Sequence, residues 1–221
     1  MSNPGRTGKC AADATLETMT AADVPPPVRR GRPGYDREQV LGIAVRLFNE
    51  QGYDATSVSA LAARLGLTKS ALYHHFESKA SILGIALDDA LGALEAALDA
   101  AVRENVRASD QLRQLVRGAV GVLTAKLPQV TLLLRVRGNG EVEQSALRRR
   151  RAFDQRVIAI VRAAQQEGMI RADVDAAVAT RLVFGMVNSL VEWYRPGGPV
   201  DPDELAEDVL RATLDGLHAR P

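Results

Sequence analysis

The chain has 221 residues, 46% hydrophobic and 25% charged, the balance of an ordinary globular protein with enough length to bury a sizeable core. Its single cysteine, Cys10, excludes an internal disulfide framework and a thiolate metal site, and no apolar run reaches the ~18 residues a membrane-spanning helix requires. With 28 Lys and Arg against 27 Asp and Glu, the net charge of +1 announces no polyanionic partner. The distribution is less even: eight basic and five acidic residues lie between Arg29 and Lys79, a local excess of three. The opening MSNPGRTGKC lacks the apolar core of a signal peptide, so a cytoplasmic location without a membrane partner is expected.

Residues 1–34 are rich in Ala, Thr, Asp and Pro and show no sustained apolar period, which predicts a disordered arm. Folding is expected to start at Tyr35. Asp36 and Gln39 stand at the two positions of a capping box, and Val40, Ile43, Ala44, Leu47 and Phe48 then recur at helical spacing until Gly52. A second, short helix begins at Thr56 or Ser57, turns Val58, Leu61, Ala62 and Leu65 inward, and stops at Gly66; Thr68 caps a third. A long helix runs from Ser78 to about Val102. Further helices are predicted over Asp110 to Lys126, Gln129 to Arg137, Glu141 to Glu167, Val174 to Tyr194 and Pro202 to His218, punctuated by Pro128, Gly138, Gly140, Gly168, Gly197 and Gly198. Asp201 is read as a cap, with Pro202 at the first helical position and Glu204 completing a box. Residues 131–136 could pass for a strand, but no other segment would pair with them. The chain is therefore read as all-α, with about nine helices.

The segment from Thr56 to Lys79 carries the functional signal. Two short helices joined by the tight Gly66-Leu67 turn must cross steeply, as in a helix-turn-helix. On the third helix, Leu72 and Phe76 share one face, while Lys69 with Tyr73 and Ser70 with His74 are each four apart on another. A cation, a hydroxyl, a phenol and an imidazole can all bond phosphates or base edges in a major groove. His75 points about 100° away from His74, which leaves it between an inter-helix bond and a DNA contact, and adjacent histidines do not share a metal-binding face.

Thr56-Ser57-Val58, the turn Gly66-Leu67-Thr68-Lys69 and Leu72-Tyr73-His74-His75-Phe76 followed by Ser78-Lys79 resemble the N-terminal signature of the TetR family of regulators. The resemblance implies a helix-turn-helix domain over 35–80 and a helical ligand-binding and dimerisation domain over 81–221. It implies that Thr68, Lys69, Ser70, Tyr73 and His74 meet the groove or its flanking phosphates, and that Thr56, Ser57, Ser59 and Lys79 hold the DNA backbone. Ser70-Ala71 stands where the family often has Gly-Thr, so base preference does not transfer. Repression, double-stranded DNA as partner and a two-fold homodimer are likewise implied. No cofactor is expected, and no nucleophile-base set or phosphate loop supports the competing readings, an enzyme or a helical adaptor that does not bind DNA.

Five further groups of residues are singled out. Arg29-Arg30-Gly31-Arg32-Pro33 resembles the core of an AT-hook, so Arg30 and Arg32 are candidate minor-groove contacts. Arg148 to Arg151 fans around a helix axis and is read as solvated surface. Val183, Val187, Leu190, Val191, Leu210, Leu214 and Leu217 give the last two helices more apolar surface than a small domain needs, and are taken as a four-helix dimer interface. Asn188, a polar residue in an apolar helix, stands one turn after Phe184, and Phe153 could approach from the preceding helix. These three are candidate effector contacts, with a core asparagine bonded to a neighbouring helix or across the dimer as the equal alternative. The ending Trp193 to Pro199 is similar to a TetR branch that responds to acyl-coenzyme A thioesters; an acyl-CoA is the leading effector and an aromatic or antibiotic-like compound the alternative. Deleting residues 1–34 is expected to leave a folded protein with lower DNA affinity, read by fluorescence anisotropy, because the arm carries Arg29, Arg30 and Arg32 and no core residue.

Overall fold

The computed structural model describes residues 36–103 and 106–214. Among them are nine helices and no strand: α1 (Arg37–Gln51), α2 (Val58–Leu65), α3 (Lys69–His75), α4 (Lys79–Ala101), α5 (Ala108–Ala125), α6 (Leu127–Arg135), α7 (Glu141–Gln166), α8 (Ala176–Trp193) and α9 (Pro202–Leu214). The segment considered as a strand lies in α6 and its C-cap, where Val130, Leu132 and Leu133 are buried on helical spacing. No helix among the described residues is long and apolar enough to cross a membrane.

Local chemistry sets most of the boundaries. The Asp36 carboxylate accepts the Gln39 amide (2.7 Å), and the Gln39 side chain accepts the Asp36 amide (3.2 Å), closing both halves of the predicted box. Ser78 and Ser81 form a second box at the start of α4. At α9 Asp201 accepts from the Asp203 and Glu204 amides, but among the described residues Glu204 makes no return bond to the Asp201 amide, so the box read there is only a cap. The N-terminus of α5 is served from far along the chain: both oxygens of the Glu167 carboxylate accept the Ala108 amide at 3.0 Å. A carboxylate at that helix end also complements its dipole.

Helix α5 is the central element, in contact with α4, α6, α7, α8 and α9. Its Leu112, Leu115, Val116, Val120 and Leu123 are fully buried. Close packing against α4 is set by Gly118, where a Cβ would lie 3.0 Å from Ala97 Cβ. The three short N-terminal helices gather on Phe48, Leu61, Leu65, Leu72 and Phe76, and this cluster is continuous with Ile82 and Leu83 of α4.

Glu143 is the most deeply buried carboxylate among the described residues. Its Oε2 accepts three successive amides of the α6–α7 connection, from Arg137 (3.2 Å), Gly138 (2.6 Å) and Asn139 (2.9 Å), with Gly138 at φ 90°. Glycine fits this left-handed position, and a side chain would also crowd Leu147. Glu143→Ala is expected to cost about 2–3 kcal/mol, since it strands amides that had a charged acceptor. Urea unfolding reads this, and Glu143→Gln should recover part of the loss.

Candidate functional site

The turn between α2 and α3 shows why the third helix is presented outward. Gly66 takes the left-handed conformation (φ 63°, ψ 27°), its amide reaches back to Ala63 O, and the Leu67 amide bonds Ala62 O at 2.9 Å. This doubly closed C-cap ends α2 abruptly. Two residues later the Thr68 hydroxyl accepts the Ala71 amide and starts α3. Leu72 then anchors α3 in the core, with Phe76 just beyond its end. Lys69, Ser70, Tyr73 and His74 are exposed, Tyr73 at 51% despite its large ring. Among the described residues the side chains of Lys69, Ser70 and Tyr73 have no hydrogen bond or ion pair, and the His74 ring meets only the His75 ring, edge-on at 6.1 Å. His75 is half-buried, with its ring tilted against Phe76 at 6.5 Å. The structure thus brings four polar side chains to one surface and commits none of them to the fold.

Ser57 and Ser59 are exposed on the neighbouring surface, Ser57 as the cap of α2 through the Ala60 amide. Thr56 is different. It is fully buried and its hydroxyl donates to Gly52 O at 2.7 Å, so the expectation that it touches DNA is corrected: its polar atom closes the α1–α2 turn. Lys79 is also reassigned. Its ammonium donates to Tyr53 O (2.9 Å) and Thr56 O (3.0 Å) and sits 4.2 Å from the centroid of the Tyr53 ring, which leaves only one of three donors for a phosphate. Arg30, Arg32 and Leu217 lie outside the described residues.

The second site is a narrow cavity among α4, α5, α6, α7 and α8, of about 60 Å³. Leu91, Leu94, Leu123 and Leu133 form much of its apolar wall. Phe153 and Phe184 both line it and meet edge to face, 5.7 Å between centroids at 82°. Asn188 lines it too, and its side-chain amide has no hydrogen-bond partner among the described residues, which removes the support for a core asparagine bonded to a neighbouring helix. Arg150 and Asp154, one turn apart on α7, complete the polar lining. The Asp154 carboxyl is held above the usual carboxylate range, chiefly by burial, against the opposing pull of Arg150 and Arg181.

In the basic run on α7, Arg148 and Arg151 are exposed as expected of solvated surface, but Arg149 and Arg150 are not. Arg149 Nε and Nη2 donate to the two oxygens of Glu95 (3.0 and 2.7 Å), and Nη1 to Asp88 Oδ1 (2.6 Å), fastening α7 to α4. Arg150 donates to Leu133 O at 3.2 Å and enters the cavity. Sequence reasoning missed both because four adjacent arginines look alike until the packing partners of each face are known.

The residues taken as a dimer interface turn the other way. Val183, Val187, Leu190, Leu210 and Leu214 are buried in the chain's own core, and Val191 packs against it. The apolar side chains that α8 leaves outside are Val178, Leu182, Met186 and Trp193, exposed by 44, 62, 41 and 49%. The two sets lie about 100° apart around the helix, a displacement of one residue.

Two short helices in a tight-turn crossing, with an uncommitted polar face on the second, define a helix-turn-helix DNA-binding regulator. The family model of bacterial regulatory proteins of the tetR family matches residues 40–84, and that of the tetracyclin repressor-like C-terminal domain matches 105–217. The chain is 31% identical over 209 residues to the transcriptional repressor KstR2 of Rhodococcus jostii, covering 87% of this chain and 97% of the relative. Among solved structures, SCO3833, a TetR regulator from Streptomyces coelicolor, is 47% identical with a TM-score of 0.75, over 81% of this chain and 90% of that one. AibR shares the fold at 24% identity, with a TM-score of 0.68 over 80% of this chain and 97% of its own. The chain belongs to the TetR family of transcriptional regulators.

Lys79→Met should lower stability by about 1–2 kcal/mol, because the Tyr53 and Thr56 carbonyls lose a charged donor, while the salt dependence of DNA binding stays near the parent's. Urea unfolding beside anisotropy titrations checks both; a loss confined to DNA affinity would return Lys79 to the phosphates.

Proposed function

We propose that this protein is a homodimeric repressor that binds an inverted-repeat operator through α3 and leaves it when an apolar effector occupies the cavity bounded by α4 to α8. The observation that carries the reading is the outward face of α3, where the side chains of Lys69, Ser70 and Tyr73 make no hydrogen bond or ion pair among the described residues. Polar groups left uncommitted on a short helix, in a TetR-family chain, are available to phosphates and base edges. Thr68, Ser57 and Ser59 flank that face and would add backbone contacts, and Arg30 and Arg32 would follow the minor groove.

The second copy is placed on α8. Leu182, Met186 and Trp193 form an apolar stripe with Val178, and Gly185 and Ser189 between them allow close helix approach. A two-fold pairing of this stripe would give two recognition helices, which bind half-sites about 34–36 Å apart or at a related spacing. These regions, 35–80 reading DNA and 81–221 binding effector and partner, divide the work of the chain.

Support for the effector comes from the aromatic pair and the unpartnered Asn188 amide in one cavity. AibR, of the same fold, has been solved with isovaleryl coenzyme A and operator DNA. An acyl-CoA thioester is therefore the first candidate here, in the cytoplasm where such thioesters and the DNA meet. Release is a population shift: an effector that prefers the conformer with separated recognition helices lowers DNA affinity by its differential affinity for that conformer.

Anisotropy titrations with the DNA upstream of the protein's own gene test the reading. Tyr73→Ala and Lys69→Ala should each weaken the specific site by about 1–3 kcal/mol and random DNA less; parent-like binding by both would reject α3 as the reader. Leu182→Glu should give a monomeric mass by light scattering, with loss of operator binding. A panel of acyl-CoA esters should release the DNA, and an unaltered response in both Phe184→Ala and Asn188→Ala would remove the effector from this cavity.

A further inference from the structure

We propose that the cavity selects an effector with a neutral carbonyl on an apolar body, as in a thioester, over the matching carboxylate, with Arg150 and Asn188 as the donors and Asp154 as the discriminating group. This rests on the effector reading above and adds the chemistry of its polar end.

The cavity has only two charged side chains in its lining, Arg150 and Asp154, both from α7 and one turn apart. Arg150 has no carboxylate within ion-pair distance among the described residues; its neighbour Arg149 takes Asp88 and Glu95 instead. One Arg150 N–H is spent on Leu133 O, which fixes the guanidinium at the cavity wall and leaves other N–H groups to donate. Asn188, from α8, brings an amide with no partner among the described residues. Two donors from different helices beside an apolar wall call for an acceptor on the ligand, because leaving polar groups unpaired on binding forfeits the desolvation cost of each.

Asp154 decides which acceptor. A free carboxylate would gain from Arg150 but would meet the Asp154 carboxyl, and either the two like charges repel in a partly desolvated site or Asp154, already raised by burial, must take up a proton, so both routes cost binding. Arg181 also acts on Asp154, but it does not line the cavity and offers the ligand nothing there. A neutral carbonyl accepts from Arg150 and Asn188 without meeting that repulsion. Its apolar chain would pass the Phe153–Phe184 pair toward Leu91 and Leu123.

The test is calorimetric titration of the full-length protein with three probes of equal acyl or alkyl length: S-decanoyl-N-acetylcysteamine, decanoate and the thioether S-decyl-N-acetylcysteamine, which keeps the tail and the acetamide but lacks the thioester carbonyl. The thioester probe carries the carbonyl without the phosphates of coenzyme A. In the parent it should bind at least about tenfold tighter than either of the others, the order expected for one or two hydrogen bonds set against an unpaired or repelled group. Arg150→Met and Asn188→Leu should each erase most of the advantage over the thioether. Asp154→Asn should raise the affinity for decanoate about tenfold and so narrow the gap between acid and thioester. Decanoate binding the parent as tightly as the thioester, or no gain in Asp154→Asn, overturns the proposal and leaves the cavity as a purely apolar effector site. Failure of all three probes, with operator binding intact, overturns the effector reading and this one together. Thermal melts identify any variant that does not fold, and the remaining two variants and the parent series still decide the outcome.

Discussion

The fold turns on the fastening of α4 at its first residue. Lys79 donates to two carbonyls of the α1–α2 turn and lies on the Tyr53 ring, so the start of α4 is tied to the segment that positions α2. Thr56, fully buried, closes the same turn with its hydroxyl, and Ser78 and Ser81 cap the helix one step away. From that point α4 runs unbroken through 23 residues, with Leu91 and Leu94 in the wall of the cavity. A continuous helix transmits a displacement at one end to the other because its backbone bonds resist bending. Reader and cavity thus share one rod.

A second set of bonds runs between the N-terminal helices and the connections around α6. Asn49 Nδ2 donates to Pro128 O (2.8 Å), Arg135 donates to Asn49 O (2.8 Å), and Asn139 Nδ2 reaches Asp54 Oδ2 (2.8 Å). Asn49 Oδ1 is buried without a partner beside them. The Asn139 end is stiffened by Glu143, which gathers three amides of its loop, and the negative charges of Glu143 and Asp54 add to burial in raising the Tyr53 phenol above its usual range. Val130, Leu133 and Leu134 of α6 also line the cavity, so α6 touches both the proposed effector and the reader. Under the proposed mechanism these few polar bonds and α4 are where a change of cavity shape meets the DNA-binding helices.

The arginine run on α7 illustrates how one kind of residue divides among tasks by direction alone. Arg149 holds α7 to α4 through two carboxylates, while Arg150, rotated by about 100°, holds a backbone carbonyl and faces the cavity. Arg156, two turns on, pairs with Asp99 of the same α4. The α4–α7 contact therefore has a charged seam along its edge and an apolar interior, a combination that fixes register while the core supplies most of the stability.

Local signals in the sequence determined where helices start and stop, because a capping carboxylate or hydroxyl and a left-handed glycine act within four residues of themselves. Asp36 with Gln39, Thr68 with Ala71 and Gly66 with Ala62 could all be read that way, and with them the helix-turn-helix and the outward position of Lys69, Ser70, Tyr73 and His74. Phe153, Phe184 and Asn188 were legible as a group because an amide in an apolar helix has to be accounted for somewhere. Tertiary structure decided which side of an apolar helix is the inside. In α8 both Val183 and Leu182 belong to apolar stripes, and only the placement of α5, α6, α7 and α9 around it buries the first and leaves the second at the surface. It likewise decided that Lys79, a polar residue within a DNA-reading motif, spends its bonds on the fold, since the carbonyls that claim it lie 23 and 26 residues away along the chain and come close only once α1, α2 and α4 have packed, and that Thr56, whose hydroxyl reaches only four residues back, is buried in the process.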